Sequence, residues 1–254
     1  AVDHKVEHLN ADFHGANIPA STNNIRNCFE IAQHGGADAL VTHLGLINQW
    51  GPEYPKINYV VKMNGKTNLI PGKEKDPLSM ALWSIDNIVT LQQQSNLNIC
   101  GIAYTIYLGS EHEHLMMQEA AQLVFEAHQQ GLLAFIFAYP RGKHVTKKQN
   151  HPDLVTGAAG IAASLGADFV KLAAPCIDNQ IDTETIKVAV EAAGKTKILF
   201  AGGSATNQAT FLQNIATICK ADSSTGFAIG RNIFQLPTEK AIKFSKKITN
   251  NLTK

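Results

Sequence analysis

The chain has no excess of either charge. With 22 Lys+Arg against 21 Asp+Glu, no basic face announces nucleic acid and no polybasic run announces a membrane surface. A small molecule is therefore the expected ligand. The sequence has no apolar run of the length that a membrane span requires, and its first residues lack the basic-then-apolar pattern of an export signal. Its cysteines, Cys28, Cys100, Cys176 and Cys219, are far apart, with no CxxC pair and no disulfide-framework spacing, so they are expected as reduced thiols of a cytoplasmic protein. Low-complexity tracts and composition shifts are absent too. The 254 residues, 44% of them apolar, suit one barrel-sized domain over 1–254.

What is present is alternation. Short β-rich apolar runs over 38–44, 57–63, 99–108, 132–139, 167–172, 196–201 and 224–229 alternate with segments of helical period over 24–34, 78–94, 112–130, 152–165, 182–193, 208–220 and 239–250. This pattern predicts a parallel sheet joined by crossover helices, and the expected fold class is a (β/α)8 TIM barrel. Only seven strands are legible. The first in order survives as Ala1-Val2-Asp3, so strand one is expected to be truncated at the amino terminus. Pro152 with Asp153, and Asp182 with Thr183, open helices; Gly131, Gly166 and Gly194 stop them. The interval from Leu44 to Ile57 leaves room for little more than a helical turn, and a long loop over 65–77 precedes the third crossover helix.

The residues that carry chemistry fall at strand ends. Lys171 lies inside an apolar strand, on the same face as Phe169. If that face is the barrel interior, its amine is desolvated and able to attack a carbonyl and form a Schiff base; the alternative is an ion-paired structural lysine. Lys62, at another strand end, is a second candidate nucleophile or a neighbouring charge. Tyr139-Pro-Arg141-Gly offers a phenol for general acid work and a guanidinium for phosphate, or simply a strand end broken by proline and glycine. Asp3 is a general base, a residue orienting the lysine, or a turn cap. Two glycine-bearing junctions, Phe200-Ala-Gly202-Gly203-Ser204 and Phe227-Ala-Ile-Gly230-Arg231, read as a phosphate cradle after the last two strands of a barrel.

The histidines suggest zinc at first sight. His4-x-x-Glu7-His8 has the spacing of some zinc hydrolases, but no sustained helix carries it. Glu111-His-Glu-His114 reads as a solvated first helical turn, and His43 is the one other histidine well placed at a strand end. No metal is expected.

The segments Asp3-His-Lys-Val-Glu-His-Leu-Asn10, Tyr104-Thr-Ile-Tyr-Leu-Gly-Ser-Glu111, Tyr139-Pro-Arg-Gly142, Asp168-Phe-Val-Lys171, Ala201-Gly-Gly-Ser204 and Gly230-Arg-Asn-Ile-Phe-Gln235 resemble, in order, the archaeal/bacterial class I fructose-bisphosphate aldolases. Val61-Lys-Met-Asn-Gly-Lys-Thr-Asn68 is similar to the bacterial branch. The resemblance implies Lys171 as the Schiff-base lysine, Tyr139 as proton donor and Asp3 as the acid contacting substrate hydroxyls and the amine. It implies Gly202, Gly203, Gly230 and Arg231 as the cradle for the C1 phosphate. It further implies cleavage of fructose 1,6-bisphosphate without a metal or other cofactor, and a homo-oligomer, expected as a decamer. Two positions depart from the pattern: Phe137, where some members carry tryptophan, and Leu172-Ala-Ala-Pro175, where many carry polar or aromatic residues. Other lysine-dependent phosphosugar enzymes, which process an autoinducer phosphate or build a dideoxy-heptulosonate, share the barrel and lysine. A non-catalytic phosphosugar-binding protein and a zinc enzyme remain as further readings.

Overall fold

In a computed structural model the chain is described over residues 1–69 and 76–252. Helices α1 (Asn10–Phe13) and α2 (Arg26–His34) precede β1 (Leu40–His43), α3 (Leu44–Trp50) and β2 (Tyr59–Lys62). Next come α4 (Ile85–Ser95), β3 (Ile99–Leu108), α5 (Glu113–Gln129), β4 (Leu133–Pro140), α6 (Pro152–Ser164) and β5 (Phe169–Leu172). A small antiparallel hairpin, β6 (Cys176–Ile177) with β7 (Gln180–Ile181), leads into α7 (Thr183–Ala193) and β8 (Lys197–Ala201). The chain closes with α8 (Gln208–Ala221), β9 (Gly226–Ala228), α9 (Arg231–Phe234) and α10 (Thr238–Leu252).

Seven strands form one curled parallel sheet in the order β1-β2-β3-β4-β5-β8-β9. The curl brings its edges toward each other, and the first two residues lie between them: the Ala1 amine donates to Ile229 O (2.9 Å) and the Val2 N–H to Val41 O (2.9 Å). Asp3, next in sequence, is thereby delivered to the end of the sheet where the strands finish. Both faces of the central strands are covered. In β3, Ile102, Ala103, Tyr104, Ile106 and Tyr107 are all essentially inaccessible, which is why this strand reads as a continuous apolar run rather than an alternating one. The outer helices bury one stripe each. In α10, Ala241, Phe244, Ser245 and Ile248 turn inward at helical spacing.

Three expectations are corrected. The helix expected over 78–94 begins at Ile85, because Ser84 and Asn87 form a capping box (Asn87 N–H to Ser84 Oγ 3.3 Å, Ser84 N–H to Asn87 Oδ1 3.0 Å). The residues before it are irregular and tied elsewhere, Leu82 N–H to Met63 O (2.7 Å) and Ala81 N–H to Glu119 Oε2 (2.7 Å). The interval after Leu44 holds two helical turns, not one, with α3 followed by a 3₁₀ turn over Gly51–Glu53. The last strand shrinks to three residues, since Asp222 draws Ser224 and Thr225 into a turn. The loop expected over 65–77 lies in part, at 70–75, outside the described residues.

Candidate active site

The interior face of the sheet carries Phe135, Phe137 and Tyr139 on β4 beside Phe169 and Lys171 on β5, with Phe137 opposite Lys171 in register. Alternation along both strands puts these side chains on one wall. Low on it, Phe135 and Phe169 stack at 4.5 Å. Higher up, the Lys171 Nζ rests 4.4 Å from the centre of the Phe137 ring and 5.7 Å from that of Tyr139. The Tyr139 ring is shared: the Arg141 guanidinium carbon lies 5.1 Å from its centre, and Arg141 Nε donates to Gln149 Oε1 (3.1 Å). Among the described residues, no carboxylate or carbonyl accepts a hydrogen bond from the Lys171 ammonium, and it forms no ion pair. That removes the ion-paired structural reading of this lysine.

A cavity of about 900 Å³ opens above this wall at the carboxyl ends of the strands. That volume suits a small-molecule ligand. Asp3, Tyr139, Arg141 and Lys171 line one part of it. Gly202, Gly203 and Ser204, after β8, and Gly230 and Arg231, after β9, line another. These junctions need their glycines. Gly203 has φ +70°, which side chains resist, and a Cβ on Gly230 would come within 2.9 Å of Ala1 O.

Lys62 is placed differently. It is buried and does not line the cavity; its ammonium donates to both the main-chain and side-chain oxygens of Asn64. Of the two readings of Lys62, nucleophile or neighbouring charge, this buried position outside the cavity lining favours the second. Asn64 is itself locked, its amide donating to Ser79 O (2.9 Å) and Thr105 O (2.8 Å) while its oxygen accepts from Thr105 N–H (2.8 Å). Lys62 acts instead as charge beneath the floor. Burial pushes the Asp3 carboxyl up, but Lys62, Lys171, His43 and His8 together outweigh it and hold the group below the ordinary carboxylate range. Burial lowers Lys62 below an ordinary lysine despite the opposing pull of Asp3 and Glu7. His43, 3.8 Å from Asp3, is also lowered by burial.

Asn232 is the residue that sequence reasoning missed. It is buried behind the glycine junctions and spans them: Nδ2 donates to Gly202 O (2.7 Å) and Ser204 O (3.1 Å), and Oδ1 accepts from Thr206 N–H (2.9 Å). The one signal was its position directly after Gly230-Arg231. The zinc-like histidines do not assemble. His4 packs on Phe13 (4.2 Å between centroids) and His8 pairs with Asp12. Among the described residues no three His, Cys, Asp or Glu side chains converge to hold a metal ion.

Known proteins resemble this chain in sequence and fold. The chain is 46% identical over 248 residues, covering 98% of it and 78% of the relative, to the fructose-bisphosphate aldolase/6-deoxy-5-ketofructose 1-phosphate synthase of Methanocaldococcus jannaschii. Among solved structures, a fructose-bisphosphate aldolase from Slackia heliotrinireducens superposes with a TM-score of 0.92 at 40% identity, over 98% of this chain and 78% of that one. An archaeal fructose-1,6-bisphosphate aldolase, whose catalytic lysine is covalently bound to the carbinolamine intermediate of its substrate, superposes with a TM-score of 0.83 at 29% identity. It is matched over 100% of this chain and 92% of that one. Residues 1–236 match the DeoC/LacD family of aldolases, and to that family, among its Schiff-base fructose-bisphosphate aldolase relatives, this chain belongs.

Proposed function

We propose that this protein cleaves fructose 1,6-bisphosphate to dihydroxyacetone phosphate and glyceraldehyde 3-phosphate, in glycolysis and gluconeogenesis. The observation that carries the reading is an amine without a hydrogen-bonding partner among the described residues, Lys171, lying on an aromatic shelf in a cavity between an ionised carboxylate and a glycine-lined cradle. Lys171 attacks the C2 ketone, and loss of water from the carbinolamine gives an iminium. The C4 hydroxyl gives its proton to Asp3, the C3–C4 bond breaks, and its electron pair flows to the iminium nitrogen to form an enamine. Glyceraldehyde 3-phosphate departs. The Tyr139 phenol then protonates C3, and hydrolysis frees dihydroxyacetone phosphate and the amine. The iminium is the electron sink, so the sequence of steps needs no metal. Gly202, Gly203, Ser204, Gly230 and Arg231 hold the C1 phosphate and thereby orient the ketone, while Arg141 faces the other end of the sugar.

A second reading runs the same lysine chemistry toward a 6-deoxy ketose 1-phosphate; the double name of the 46%-identical relative favours it. The resemblance also carries a cytoplasmic homo-oligomer, a decamer, built from one domain over 1–254; sedimentation equilibrium measures the subunit number. The decisive test of the function is incubation with fructose 1,6-bisphosphate or dihydroxyacetone phosphate, borohydride reduction and peptide mapping. A triose phosphate adduct on Lys171 is expected. An adduct on Lys62, or none, sinks the assignment, and consumption of a 6-deoxy ketose 1-phosphate alone establishes the second reading.

A further inference from the structure

Beside the glycine junctions, the turn before α1, α1 itself and α9 place three polar side chains in contact. His8 Nδ1 lies 2.9 Å from Asp12 Oδ2, and Asp12 Oδ1 lies 3.7 Å from Arg231 Nη1. The unit is fixed from behind: Gln235 Nε2 donates to Asp12 O (2.8 Å), Phe13 stacks on Phe234 (4.9 Å), and the His8 ring meets Phe234 edge-on at 6.3 Å. His8, Asp12 and Arg231 all face the same cavity as Gly202, Gly203 and Gly230. A carboxylate in this place is unexpected, because it accepts hydrogen bonds and repels an anion. What it can do is hold donors. By taking the Nδ1–H of His8 it fixes the imidazole plane, and the imidazolium form then presents Nε2–H as a donor directed away from the carboxylate, and beside Arg231 it limits the directions that the guanidinium can take.

We propose that His8 is a second side-chain donor to the phosphate of the bound sugar, through Nε2, and that Asp12 is the positioning residue setting His8 and Arg231 as two arms of one clamp. The inference rests on the reading of the cavity as a phosphosugar site and adds to it residues that the sequence motifs did not assign to phosphate. A clamp with one arm from the turn before α1 and one from α9 demands a phosphate monoester held at a fixed angle, and it discriminates against a sugar lacking that group.

Inorganic phosphate binding, measured by equilibrium dialysis, tests this. His8→Asn removes the atom at Nε2, whereas the longer amide of His8→Gln puts a donor back near it. The first is expected to weaken phosphate binding by about tenfold, the scale of one hydrogen bond to a charged group, and the second to recover most of the loss. Asp12→Ala is expected to weaken it similarly, with Asp12→Asn, which keeps an acceptor for the imidazole, recovering much of the affinity. Wild-type affinity in His8→Asn, or equal loss in His8→Asn and His8→Gln, overturns the role of His8. Tighter binding in Asp12→Ala overturns the positioning role, since the carboxylate would then only repel. Borohydride trapping of dihydroxyacetone phosphate on wild-type Lys171 is run alongside. No adduct there, with phosphate affinities in the expected order, removes the aldolase reading and leaves the clamp standing.

Discussion

Asp3 and Lys62 show how far a single side chain depends on its neighbours. Asp3 stays ionised in a buried place because cations surround it, so its folded carboxyl titrates below the ordinary value of 3.8. A depressed carboxylate contributes stability above its unfolded value and loses it as pH falls through the folded value. Wild type is therefore expected to gain over Asp3→Asn above pH 3.8 and to lose that advantage in stronger acid, as followed by urea unfolding across pH. Lys62 is shifted in the same direction, but there it is the charged form that burial disfavours. Its folded value lies below 10.5, so the unfolded chain holds the extra proton in the window just under that value, and its burial weighs less on the fold as pH rises there. Lys62→Met strips a cation from Asp3 and the donor from Asn64, and is expected to destabilise by about 3–5 kcal/mol, the scale for breaking a buried pair. Spacing alone did not separate Lys62 from Lys171, because both end apolar strands. What separates them is Asn64, whose two oxygens take the ammonium, and no local pattern announces such a partner.

At the scale of elements, the two phosphate-side junctions are short loops held together by one amide. Asn232→Ala removes both donors to the first loop and the acceptor for Thr206. Its expected effect is a KM for the phosphosugar raised by roughly tenfold or more, with trapping of Lys171 retained at saturating substrate. A fall in kcat alone would contradict it. The start of α4 rests on Ser84, and Ser84→Ala is expected to cost about 1 kcal/mol by thermal denaturation. Elements were legible where their signals are local. The expected helix starts at Pro152 and Asp182 match α6 and α7 because a proline or an acidic cap acts on its own neighbours. The start of α4 was misread because Leu78, Ala81 and Leu82 keep an apolar period suited to a helix, yet their backbone is claimed by Met63 and Glu119 from distant parts of the chain.

For the molecule as a whole, the curl of the sheet decides whether a site exists at all. β1 and β9 never pair; Ala1 and Val2 span them, and Asp3 reaches the cavity only by that seam. Val2→Pro deletes the N–H that bonds Val41 and is expected to cost about 1–2 kcal/mol, a fall of roughly 2–6 °C in Tm for a chain of this size. Trapping on Lys171 should slow in parallel, because the seam and the carboxylate move together. An unaltered trapping rate with a lowered Tm would separate the two. The barrel class was readable from the alternation of runs, since that rhythm admits few architectures. The meeting of Asp3 with Lys171 was carried by the family resemblance rather than by any local pattern, because closure of a sheet brings together residues more than 160 positions apart and leaves no trace in any window.

The cradle proposed for the sugar phosphate has a consequence for how such a protein changes over generations. Its grip is built in large part from main chain at Gly202, Gly203 and Gly230, and main chain is the one component that a codon change does not delete. A Cβ at Gly202 or Gly230 crowds Ile229 or Ala1, so mutation there tends to break the protein rather than retune it. Arg141, Lys148 and Gln149, which line the same cavity, carry no such constraint. New sugars are accordingly acquired by exchanging those side chains, while the handle by which every one of them is held is inherited unchanged.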